Sequence, residues 1–136
     1  MSNIKTLESG DKFTHVSVGH LSTFAGKEFV KDATGATSCE ISFGTLEPGQ
    51  AVPFFHSHKA NEENYIILSG EGKFQVNDDV FAVAEGSVVK VATNCDRNIK
   101  NTGAVNLVYI CIQAREGSLE GYNMTDAEIT EHRNLL

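Results

Sequence analysis

From Cys39 onward apolar and polar positions alternate along the chain. Cys39, Ile41 and Phe43 are apolar while Glu40, Ser42 and Gly44 are polar or small, which is the period-2 pattern of a half-buried β-strand. Glu47, Pro48 and Gly49 then make a turn. Tyr65 to Leu68 is aromatic and β-branched enough to read as a second strand. Lys73 to Val76 alternates, Asn77-Asp78-Asp79 reads as a hairpin turn, and Val80 to Val83 returns. Glu85 and Gly86 turn the chain again before a strand from Ser87 to Val91. After a turn at Asn101-Thr102-Gly103, Asn106 to Gln113 places Val108, Ile110 and Ile112 on one face and Leu107, Tyr109 and Cys111 on the other. Short strands roughly ten residues apart, punctuated by glycine, predict an all-β barrel or jelly roll. No internal repeat is present, so a single barrel is expected.

The two ends are patterned differently. Before residue 38 the alternation is weak, with strands expected only over Phe13 to Val18 and, after a turn at Ala25 and Gly26, over Glu28 to Val30. At the other end Thr125 followed three residues later by Glu128 forms a capping box, which predicts a short helix from Asp126 to about Asn134. The expected organisation is one domain: an N-terminal arm with the first strands (1–37), a barrel core (38–115) and a tail with a short helix (116–136).

Composition narrows the function classes. A chain of 136 residues is long enough to fold on its own core without disulfides or metal. Its net charge of −7 disfavours nucleic acid and anionic membrane as partners, because both reward basic patches. The N-terminus, MSNIKTLESGDKF, has no apolar signal-peptide core, and no apolar run approaches a membrane span, so a cytoplasmic protein is expected. Cys39, Cys95 and Cys111 are widely spaced and odd in number, which argues against a disulfide framework or a zinc knuckle. Cys39 and Cys111 read as small buried hydrophobes, while Cys95 lies two residues before Arg97.

The candidate chemistry lies between Gly49 and Gly72, GQAVPFFHSHKANEENYIILSGEG. His56 and His58 are two residues apart, and residues i and i+2 of a strand share a face, so both imidazoles can converge on one point. Glu62 and Glu63 follow a short polar connection and point to opposite faces of the second strand. Glu63 shares its parity with Tyr65 and Ile67 and is the carboxylate expected to join the histidines. At least one ring of Phe54 and Phe55 is expected near the site, whereas His15 and His20 read as surface or structural residues.

From His56 to Gly70 the spacing HxHxxxxExxxxxxG resembles the first conserved motif of the cupin superfamily. Six residues, in place of the usual five, separate Gly49 from His56. From Gly86, GSVVKVATNCDRNIKNTG resembles a degraded second motif, GxxxxxPxGxxHxxxN, in which Ala92 replaces the proline, Asn94 the turn glycine and Arg97 the histidine, while Asn101 is kept. The resemblance covers roughly Ser38 to Ala114. It implies a cupin-type β-barrel with a divalent metal (zinc, iron, nickel or manganese) held by His56, His58 and Glu63, and a homodimer.

Arginine has no lone pair to donate, so Arg97 is not a metal ligand. Three readings of it stand: it turns outward, it pairs with Glu63 in a metal-free pocket, or it faces inward to hold an anionic substrate beside the metal; the third is favoured. Arg97, Tyr65 and Tyr109 are the candidate substrate-binding residues. The function expected is binding of, or Lewis-acid isomerase or lyase chemistry on, a small anionic molecule such as a sugar phosphate or keto acid, with Glu62 or Tyr65 as candidates for moving a proton. A non-catalytic binding or sensing cupin and an iron-dependent dioxygenase are the alternatives.

Overall fold

The protein is described by a computed structural model that covers residues 3–21, 25–122 and 125–136. The remaining positions of the N-terminal arm and the tail lie outside the described residues. The strands are β1 (Lys5–Ser9), β2 (Thr14–Ser17), β3 (Gly26–Phe29), β4 (Glu40–Leu46), β5 (Asn61–Ser69), β6 (Glu71–Val76), β7 (Asp79–Ala84), β8 (Val88–Val91), β9 (Arg97–Asn101) and β10 (Leu107–Arg115), with one helical turn, α1 (Lys31–Thr34). A five-stranded sheet in the order β3-β4-β10-β5-β8 faces a three-stranded sheet, β7-β6-β9, and β1 and β2 form a separate hairpin. Every named pairing is antiparallel. This is an all-β jelly roll, as the alternation predicts.

The core lies between the two sheets. Tyr65 and Ile67 of β5, Leu107 and Tyr109 of β10, Phe74 of β6, Val83 of β7, Val91 of β8 and Ile99 of β9 are buried together. Tyr65 meets the Phe74 ring edge-on at 4.9 Å between centroids, which ties the sheets across the core. Gly72 of β6 lies so close to its neighbour β9 that a Cβ there would overlap the Lys100 carbonyl oxygen, so only glycine fits.

On β4 the structure inverts the expected faces. Ser42, Gly44 and Leu46 point into the barrel and are buried, while Ile41 and Phe43 are half-buried on its outside. The cause is volume. Tyr109 stands opposite Gly44 in register, and its ring covers the glycine, so the inner face of β4 has room only for small residues. Ile41 and Phe43 join Ile66 and Leu68 of β5 and Ile110 and Ile112 of β10 in a half-buried apolar row on the outer face.

Three other elements differ from expectation. β1 is a strand although Lys5 to Ser9 are all exposed, which leaves no burial pattern to read. α1 is a single turn, closed by Gly35 in the left-handed region. The predicted C-terminal helix is absent, because residues 127–136 carry no helical structure and Ile129 and Leu135 are exposed. A segment of this length needs an apolar face docked on the body to remain helical, and here none is docked. Among the described residues no helix is long and apolar enough to cross a membrane.

Candidate metal centre

His56 and His58 lie on an extended segment between β4 and β5, not within a continuous strand. Two main-chain hydrogen bonds hold that segment: the Arg97 amide donates to the His56 carbonyl (3.1 Å) and the Asn94 amide to the His58 carbonyl (2.8 Å). Asn94 adopts φ +60°, a conformation that asparagine tolerates better than most residues, so it does the backbone work of a turn glycine. Across the gap β5 presents Glu63, 5% exposed, with Tyr65 and Ile67 on the same inner face. Glu62 lies on the opposite face.

The three side chains converge. Their nearest ligand atoms all lie within 4.8 Å of one another. His56 Nε2 is 3.5 Å from Glu63 Oε1 and His58 Nε2 is 3.4 Å from Glu63 Oε2. The Tyr65 hydroxyl donates to Glu63 Oε1 at 2.9 Å and the Cys111 thiol to Oε2 at 3.2 Å, so the carboxylate is fixed from behind. His56 Nδ1 and His58 Nε2 are buried without hydrogen-bond partners. Two imidazoles and a carboxylate with buried, unsatisfied nitrogens fit a divalent transition metal, and ligand type alone does not select which one.

Arg97 does not turn outward. It opens β9, where Arg97, Ile99 and Asn101 alternate into the barrel, and it is 1% exposed. Its Nη1 is 3.5 Å from Glu63 Oε1, yet none of its three side-chain nitrogens makes a hydrogen bond. The guanidinium, both histidines, Glu63, Tyr65 and Tyr109 line one cavity of about 580 Å³. Phe54 lines its mouth, with its ring centroid 6.2 Å from that of His56.

The pattern of the cupin domain family matches residues 42–113, more than half of the chain, and takes in the histidine pair, Glu63 and Arg97. The chain belongs to the cupin family. A cupin protein from Bacteroides fragilis of known structure is 30% identical with a TM-score of 0.76, covering 96% of this chain and 100% of that one. The structure of a proposed sugar phosphate isomerase from Acidithiobacillus ferrooxidans is 29% identical with a TM-score of 0.59, covering 65% of this cupin and 58% of that chain. An uncharacterized protein from Methanocaldococcus jannaschii is 32% identical over 86 residues, 63% of this cupin and 65% of the relative.

Electrostatics poise the donor set of this cupin for a cation. Burial pushes the Glu63 pKa up, but the hydrogen bonds from Cys111 and Tyr65, with His58 and Arg97 nearby, outweigh it and hold the carboxyl below its ordinary value. Burial is also the main reason that the His56 pKa falls below its ordinary value, with Arg97 and His58 adding to it against the pull of Glu63. Burial raises the Tyr65 and Tyr109 phenols, and the Cys111 thiol is pushed up to about 12 by burial and by Glu63. At neutral pH Glu63 is therefore a carboxylate and His56 offers a free lone pair.

Both depressed pKa values act on stability in the same sense. The unfolded chain takes up protons before the folded one, so the metal-free protein loses stability as pH falls. The loss begins below the ordinary histidine value of 6.5 and continues below the ordinary glutamate value of 4.5. Thermal melts of the chelated protein should fall progressively from pH 7 toward 4, and H56Q should flatten the upper part of that curve. A wild-type melting temperature that rises on acidification would contradict this.

Some candidates lie elsewhere. Glu62 does not line the cavity, whereas Tyr65 lines it and its phenol donates to Glu63. Cys95 packs against the apolar core, and Cys39 is half-buried beside a second, polar cavity. His15 is exposed and pairs with Glu8 at 3.4 Å. Sequence reasoning missed the Cys111 contact with Glu63, although Cys111 shares its parity with Tyr109. It also missed Lys27, which lines the cavity from a segment with little pattern.

Proposed function

We propose that this cupin holds one divalent metal on His56, His58 and Glu63 and takes a small anionic molecule, an oxo acid or sugar phosphate, whose acidic group is held by Arg97. The observation that carries this reading is the guanidinium: it is 1% exposed and lines the cavity, its nitrogens make no hydrogen bond, and its ion pair with Glu63 is long at 3.5 Å, so the buried charge is incompletely met and a further anion would complete it. Glu63 is the partner nearest to Arg97, and a metal drawing on that carboxylate leaves more positive charge for a ligand to offset. When bound, the metal supplies Lewis acidity toward a carbonyl or acidic oxygen at positions that three protein ligands leave open. Arg97 orients the anion, Tyr65 and Cys111 steady Glu63, and the aromatic and aliphatic walls exclude water. Isomerase or lyase chemistry is the preferred activity, supported by the similarity to the proposed sugar phosphate isomerase.

A second reading, binding without turnover, is favoured by the placement of Glu62 outside the cavity and the engagement of Tyr65. Elemental analysis of purified protein beside an H56A/H58A variant tests the metal. Near-stoichiometric metal that disappears in the variant is expected, and no metal in the wild type after reconstitution would remove the metal reading. Iron would return the dioxygenase alternative to the front. With metal supplied, conversion of sugar phosphates or oxo acids marks an enzyme, and thermal stabilisation alone marks a binding module. We also propose a homodimer, with the outer apolar row on β4, β5 and β10 as the surface to cover; a monomeric mass in light scattering of the same sample would exclude it.

A further inference from the structure

A second cation enters the cavity from the opposite wall. β3 is the edge strand of the larger sheet, and Lys27 stands in register with Gly44, which in turn stands opposite Tyr109, so its side chain leaves the backbone on the inner face. A lysine on an edge strand ordinarily extends into water. Lys27 is also exposed, at the open side of the cavity, but its ammonium turns back to donate to the Ser42 hydroxyl at 3.0 Å and sits 5.6 Å from the Tyr109 ring centroid and 5.2 Å from that of Phe29. Holding a long flexible side chain over two aromatic faces costs rotamer entropy that cation–π contact only partly offsets. Among the described residues no carboxylate forms an ion pair with Lys27, although Glu40 lines the same cavity.

The chamber thus has a cation on each sheet, Arg97 from β9 and Lys27 from β3, with Glu63 and Glu40 also lining it and Val52, Ile99 and Tyr109 among the walls. Its volume, about 580 Å³, falls in the range that encloses ligands much larger than a bare oxo acid. We propose that the ligand of this cupin carries two acidic groups joined by an apolar span, one held by Arg97 beside the metal site and the other by Lys27. This rests on the reading of Arg97 as an anion anchor and adds Lys27 as the residue that sets specificity for the distal group. A ligand with one acidic group leaves the ammonium with the Ser42 hydroxyl alone; a diacid of the right length engages both cations at once, the second contact being effectively intramolecular.

The test is titration calorimetry on the full chain, with straight-chain dicarboxylates from succinate to suberate and the monocarboxylates of matching length as probes. Wild-type protein should bind the best-fitting dicarboxylate about tenfold more tightly than its monocarboxylate counterpart, the scale of one added charge-assisted contact. K27M should abolish that advantage with little effect on the monocarboxylate, K27R should keep it, and R97M should weaken both probe classes. An advantage that persists in K27M, or no advantage at any length, would overturn the role of Lys27 while leaving Arg97 as an anchor if monocarboxylate binding still depends on it. Failure of wild-type protein to bind either class would overturn both readings.

Discussion

The variant R97M is expected to bind divalent metal about a hundredfold more tightly than the wild type. The argument is electrostatic. Arg97 Nη1 lies 3.5 Å from Glu63 Oε1, so a metal held on Glu63 would stand on the order of 5 Å from the guanidinium. A divalent ion with one carboxylate carries a net charge of +1, and at an effective dielectric near 20 its repulsion by Arg97 is about 3 kcal/mol, or about two orders of magnitude in affinity. Because the guanidinium is 1% exposed, salt screens little of this. The same variant should lose anion affinity by about ten- to a hundredfold, since a charged hydrogen bond contributes about 1.5–3 kcal/mol. Competition with a fluorescent chelator reads the first effect and calorimetry with an oxo acid reads the second. Metal affinity that is unchanged in R97M would mean that the arginine does not repel the ion, and the account of the site would have to be rebuilt.

The variant G44A is expected to be less stable by about 2–3 kcal/mol, a fall in melting temperature of roughly 10 °C. A Cβ at position 44 would overlap the distal atoms of the Tyr109 ring. That ring is 2% exposed, packs 6.0 Å from Tyr65 and lies beneath the Lys27 ammonium, so it cannot swing aside without disturbing the core and the cavity wall together. The pair G44A/Y109L should recover part of the lost stability, giving a coupling energy in a double-mutant cycle. Equal melting temperatures for G44A and wild type would show that the ring has somewhere else to go.

What could be read from the sequence divides along physical lines. The convergence of His56, His58 and Glu63 was legible because two-residue spacing and strand parity are local properties, and parity alone separates Glu63 from Glu62. The inward turn of Arg97 is the favoured of three sequence readings, but the segment from 97 to 101 gives no strand signal of its own; pairing with β6, and with His56 at Arg97, makes β9 a strand, and pairing is a tertiary fact. Ile41 and Phe43 seemed to belong inside on hydrophobicity, but the Tyr109 ring already fills that volume. The tail had a correct local start signal at Thr125 and Glu128 and nothing to dock against. Lys27 left no trace because an edge-strand lysine is ordinary; its inward position depends on which face of β3 the register with β4 selects.

The backbone rungs from positions 94 and 97 to the two histidines separate support from chemistry. His56 is held by the amide of residue 97, a group common to every amino acid except proline, and not by the guanidinium. The side chain at 97 is therefore a replaceable fitting on a fixed mount. Ligand, anion anchor or inert filler can be installed there while the histidine pair stays in register, so one barrel can be retuned from holding metal tightly to holding metal and anion together by changing a single residue.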